Sequence, residues 1–97
     1  MAAYNVRLRI LAVDAKNASE VQIIMTEAFS ALENEEQPYK YLLNEIKDEE
    51  SDKYEIQFLW RNDFSSKTSA LRWAKATENV IAAKLGDRVE MRGIEIK

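Results

Sequence analysis

The stretch Tyr4-Asn5-Val6-Arg7-Leu8-Arg9-Ile10-Leu11-Ala12-Val13 decides the fold. Tyr4, Val6, Leu8, Ile10 and Ala12 alternate with Asn5, Arg7 and Arg9, the period-2 pattern of a strand with one packed face and one wet face. Turning this strand over would bury Arg7 and Arg9, and an unpaired buried charge costs on the order of several kcal/mol. The even-numbered side chains therefore belong to the core. Tyr54-Glu55-Ile56-Gln57-Phe58-Leu59-Trp60 repeats the pattern, with Tyr54, Ile56, Phe58 and Trp60 on one side.

The segments between and around these strands complete the topology. Asn17 offers a helix cap with Glu20 three residues on, and Val21, Ile24, Met25, Ala28 and Leu32 recur at helical spacing through about Glu33. Asn34 to Pro38 reads as a break, since Pro38 fixes φ and displaces its predecessor from helical space. Tyr39 to Ile46 reads as a strand that is apolar on both alternations, so it exposes either Tyr39, Tyr41 and Leu43 or Leu42 and Ile46. Lys47 to Lys53 is polar turn material and makes a hairpin with Tyr54 to Trp60.

Asn62, Asp63, Ser65 and Ser66 are candidate caps for a second helix over about Lys67 to Leu85. Its stripe is Ala70, Trp73, Ala74, Thr77, Ile81 and Leu85, with Gly86 at the left-handed cap position. In the last strand, Arg88 to Ile96, Val89 and Met91 alternate one way and Ile94 and Ile96 the other, which a bulge at Gly93 reconciles. The order β-α-β-β-α-β predicts an α+β domain of the ferredoxin-like split βαβ kind: an antiparallel four-stranded sheet with both helices on one face. Residues 1–97 read as one domain of this kind.

Composition agrees with an ordered, self-sufficient core. The 97 residues are 46% hydrophobic and 32% charged with two Gly and one Pro, far from disordered or fibrous classes. Without cysteine there is neither a disulfide framework nor a thiolate metal site, so packing must supply the stability. No secretory signal pattern follows Met1 and no apolar run approaches a membrane span, so the expected location is the cytoplasm. The Asn17-Ala18-Ser19 glycosylation sequon is read as helix-start chemistry. A net charge of −3 makes a mildly acidic protein with little general attraction for nucleic acid.

The missing residue types exclude several chemistries. No histidine means no imidazole base, no imidazole ligand and no Ser-His or Cys-His nucleophile, so the chain reads as non-enzymatic. Gly86 and Gly93 cannot build a Walker loop or a dinucleotide fingerprint, and no cofactor or metal is expected. Asp48, Glu49, Glu50 and Asp52 are the densest acidic group, but their spacing fails the EF-hand pattern and fits a solvated hairpin tip. RRM domains share this topology and stack RNA bases on sheet aromatics. Here Tyr54, Phe58 and Trp60 share the core phase, and the Lys/Arg-Gly-aromatic consensus is missing.

What remains is surface. The outer sheet face should carry Arg7 and Arg9 beside Glu55 and Gln57, with Glu90 and Arg92 on the edge, a largely self-neutralising pattern. Leu11, Val13 and Leu59 share that phase and Ile23 falls on the polar side of the first helix, so an apolar patch is expected outside. Trp73 is expected in the core, and the Ala76, Ala83 and Arg72 side of the second helix is smooth enough to accept a helix. The leading expectation is a non-catalytic protein-interaction module: an adaptor, a regulatory subunit, or a small stoichiometric inhibitor of the phage-encoded sort. It would act through the open sheet face or an edge strand, with Arg7, Arg9, Tyr39, Tyr41 and Leu59 as contacts and a homodimer as one outcome. The alternatives are single-stranded nucleic-acid binding through Arg7, Arg9 and Arg92, and a sensor or enzyme whose pocket forms at a dimer interface.

Overall fold

The computed structural model describes residues 2–32 and 40–97, with side chains over 2–27 and 42–97. In chain order the elements are β1 (Ala2–Ala12), α1 (Ala15–Leu32), β2 (Lys40–Lys47), β3 (Tyr54–Phe64), α2 (Lys67–Leu85), a 3-10 turn (Gly86–Arg88) and β4 (Val89–Ile96). The strands lie in the order β2-β3-β1-β4, and every neighbouring pair is antiparallel. This is the ferredoxin-like α+β fold. The break expected at 34–38 lies outside the described residues.

The core follows the even phase of β1. Val6, Leu8 and Ile10 face Trp60, Phe58 and Ile56 in register, and all six are buried. Ala18, Val21, Ile24 and Met25 of α1 and Ala70, Ala74, Ile81 and Leu85 of α2 close over them. Trp73 packs against this core, its ring centroid 5.2 Å from that of Trp60 in an edge-on pair. Tyr4 and Phe64 extend the aromatic end, 6.4 Å apart.

Element ends are set by local chemistry. α1 begins one turn earlier than the spacing of Asn17 and Glu20 predicts, because Asp14 is the cap: its Oδ1 accepts from the Asn17 backbone N–H at 2.9 Å and from Asn17 Nδ2 at 2.8 Å. The sequon asparagine is thus buried within the first turn. Among the candidate caps of α2, Ser66 does the work, accepting from the Ser69 N–H. At the other end Gly86 takes φ +53°, and the Arg88 guanidinium donates to the Leu85 and Lys84 carbonyls. Arg88 therefore belongs to the turn, and β4 starts at Val89.

The bulge is where the alternation of β4 requires it. Arg9 pairs with Gly93 and Ile10 with Met91, leaving Arg92 unopposed, and Gly93 has φ +123°. Val89, Met91, Ile94 and Ile96 consequently all pack on the core side.

Phe58→Ala should lower the unfolding free energy by about 3–5 kcal/mol, the range for emptying a buried aromatic site. Ile23→Ala, at a site 54% exposed, should stay within about 0.5 kcal/mol. Urea titrations of both proteins measure this, and similar losses would contradict the placement of the core.

Candidate functional site

Both helices pack on one side of the sheet, so the odd-numbered residues of β1 and β3 form a face that no described element covers. Register builds it in rows across β2, β3, β1 and β4. One row is Ile46, Glu55, Leu11 and Glu90; the next is Asn44, Gln57, Arg9 and Gly93. Then come Leu42, Leu59, Arg7 and Glu95, and finally Lys40, Arg61 and Asn5, with Asn5 exchanging backbone hydrogen bonds with Lys97.

Register also resolves the ambiguity of β2. Leu42 and Ile46 lie on the open face and are 67% and 49% exposed. Position 41 pairs with Trp60 in the ladder, and its side chain lies outside the described ones. The hairpin register sets the phase of Leu42 and Ile46, the first opposite Leu59 and the second opposite Glu55. Tyr39 lies outside the described residues.

The two halves of the open face are chemically different. In the first, Arg9 is committed: its Nη2 donates to Glu55 Oε1 at 2.7 Å and its Nε to the same oxygen at 3.2 Å. Gln57 Nε2 donates to the other oxygen at 2.8 Å. Burial raises the Glu55 pKa, but the hydrogen bonds from Gln57 and Arg9, with the charge of Arg9, outweigh it and hold the carboxyl below its ordinary value. Leu11, expected outside, sits in this half at only 7% exposure. It lies on a central strand between Glu55 and Glu90, where the stems of long polar neighbours cover an apolar residue.

The second half is less self-sufficient. A concavity of about 510 Å³ is lined there by Asn5, Arg7, Leu42, Leu59, Arg61, Glu95 and Lys97, among others. Arg7 approaches Glu95 at 3.8 Å, with both side chains more than two-fifths exposed. Among the described residues neither Arg61 nor Lys97 makes an ion pair. An apolar pair flanked by three cations and one acid can bind an apolar and acidic surface. The sequence pattern had singled out Arg7 and Leu59 but missed Arg61 and Lys97. The signal for Arg61 was its odd number, which continues the wet phase of β3 past Trp60.

Elsewhere the candidates resolve into structure. Asp48 is spent on its own turn: its Oδ1 accepts from the Glu50 N–H and its Oδ2 from the Ser51 hydroxyl, which lowers its pKa in that order of importance. Among the described residues no cluster of acidic side chains comes together to hold a metal ion. Arg92 lies 3.8 Å from Glu90. Val13, Ile23, Ala76 and Ala83 are exposed, as their phases predict. No helix among the described residues is long and apolar enough to cross a membrane.

No protein-family model and no curated protein matches the chain. Solved structures do. The de novo designed protein Foldit4 is similar at a TM-score of 0.70 and 16% identity, over 99% of this chain and 97% of that one. The de novo designed protein LFR1 1, described as having a ferredoxin fold, is similar at a TM-score of 0.63 and 19% identity, over 100% and 82%. PelD residues 156–455 from Pseudomonas aeruginosa PA14 give a TM-score of 0.54 at 13% identity, over 96% of this chain and 31% of that one. At these identities the likeness establishes a shared fold.

The lowered pKa of Glu55 makes a pH prediction. The folded carboxyl binds a proton less readily than the unfolded one, so its contribution is complete above the ordinary Glu value of about 4.3 and is lost as pH falls through the lower folded value. Glu55→Gln should cost about 1 kcal/mol at neutral pH, the upper end for a pair within reach of solvent. That cost should shrink in acid. Urea midpoints of both proteins at neutral and acidic pH test it, and a pH-independent difference would rule it out.

Proposed function

We propose that this chain is a non-catalytic protein-interaction module whose contact surface is the open face of the sheet. One observation carries the reading: Leu42 and Leu59 sit side by side on the uncovered face, flanked by Arg7, Arg61 and Lys97. A lone exposed leucine means little, but apolar side chains adjoining across strands, beside two cations without an ion pair among the described residues, have the composition of a contact surface. An adaptor, a regulatory subunit and a small stoichiometric inhibitor would all use such a face in the same way. Single-stranded nucleic acid is a poorer fit. Arg9 is bound to Glu55, Arg92 lies near Glu90, and Tyr4, Phe58, Trp60 and Phe64 are on the helix-covered side.

Affinity capture from host extract, compared among three forms of the protein, tests this reading. Wild type and Ile23→Asp should recover the same partner, whereas Leu42→Arg should reduce recovery by about tenfold or more, as truncating a central contact does. Matching thermal melts would show that all three are folded. Equal recovery by all three would leave the open face without a role.

A further inference from the structure

The charges of the open face fit a second copy of this chain, an inference that rests on the open-face reading and names its partner. The face is polarised along the strands. One end holds Arg61 and Lys97, neither in an ion pair among the described residues, with the single acid Asp63 one row beyond. The other end holds Glu55 and Glu90, and beyond them the hairpin tip 48–52 carries exposed Asp48, Glu49, Glu50 and Asp52. Arg61 lies six steps along the strand from Glu55, roughly 20 Å.

Sheets that stack face to face keep their strands nearly aligned, so a two-fold axis between two copies runs either along the strands or across them. An axis along the strands sets each basic end on its own like, which is repulsive. An axis across the strands lays each strand over the reversed copy of itself. Arg61 then meets the partner's Glu55 and the acidic hairpin beyond it, and Lys97 meets the partner's Glu90. On β2 the axis falls between Leu42 and Asn44, so Leu42 lies over the partner's Asn44 and diagonal to the partner's Leu42. Arg7 approaches the partner's Arg9, but Glu95 and Glu55 already offset those charges. We propose that this chain pairs face to face with a second copy of itself about a two-fold axis running across the strands, so that the Arg61 and Lys97 end of each copy meets the acidic end of the other.

The size of the face sets the strength. Its four strands present a flat area on the order of 400 Å² per copy, below the roughly 800 Å² per partner of a standard interface. The pair is therefore weak and reversible, and because its ends are joined by exposed charges it loosens in salt.

Sedimentation of the full chain from about 10 µM to about 1 mM, at roughly 0.02 M and roughly 0.5 M salt, reads this out over the range such an interface requires. Wild type should form dimers at low salt and dissociate at high salt. Arg61→Glu with Lys97→Glu should abolish the dimer, as should Glu50→Lys with Glu90→Lys. Mixing the two double variants should restore a heterodimer. A dimer strengthened by either charge reversal alone would overturn the axis, and mixing without heterodimer would overturn the pairing of ends. A monomer at every concentration that still captures a partner through Leu42 would overturn self-pairing and leave the open-face reading standing. A monomer whose capture is indifferent to Leu42→Arg would overturn both.

Discussion

The phase of the central ladder is the constraint on which everything else depends. β1 and β3 pair over their full lengths, from Ala2 opposite Phe64 to Ala12 opposite Tyr54, so one choice of phase assigns every side chain of both strands at once. A slip of one residue would carry Phe58 and Trp60 into solvent and draw Leu59 and Arg61 under the helices. Arg7 and Arg9 settle the choice from the β1 side, and the aromatic residues of β3 settle it from the other. The helices, the bulge and the chemistry of the open face then follow. β4 shows how strict the demand is, since without the bulge that leaves Arg92 unopposed, either Val89 and Met91 or Ile94 and Ile96 would face water.

The same phase divides the open face into a part that satisfies itself and a part that does not. Around Leu11, Arg9, Glu55 and Gln57 share hydrogen bonds within 3.2 Å, and the apolar side chain among them is nearly sealed. A partner lying over that part meets groups whose hydrogen bonds are already made, and gains little from them beyond the charge at its rim. Around Leu42 and Leu59 the described residues make no such network, Leu42 is 67% exposed, and Arg61 and Lys97 are exposed. Covering that half removes apolar surface from water and leaves the charged groups at the rim, where desolvation is cheapest.

Most of the fold was legible because the signals were periodic. Alternation in β1 and β3, the helical stripe from Ala70 to Leu85, and the out-of-phase halves of β4 each predicted elements and faces that the structure shows. What escaped were features settled by one side chain or by register. Asp14 and Asn17 are both good caps by type, and only the hydrogen bonds from Asn17 to Asp14 decide between them. β2 is apolar on both sides, so its phase is set by the hairpin register; that is why the alternation alone left Leu42 and Ile46 undecided. Leu11 follows the wet phase yet is buried, because exposure on a central strand depends on the length of its neighbours' side chains.

The likeness to designed proteins sharpens the question of which residues need explaining. Foldit4 matches nearly the whole chain at 16% identity, so patterning that bears almost no resemblance residue by residue suffices for this topology. The buried set from Val6 to Leu85, the caps and the bulge glycine belong to that patterning. Leu42, Ile46, Arg61 and Lys97 do not: a sheet of this kind is as well formed with short polar residues at those positions, and exposed leucine on an edge strand invites unwanted pairing. Exposed Leu42 and Ile46 on the edge, and cations without an ion pair among the described residues at one end, are costs to a protein whose only task is to fold. Both become assets once a surface with apolar and acidic groups lies against them, and the far end of this same sheet already carries the acids.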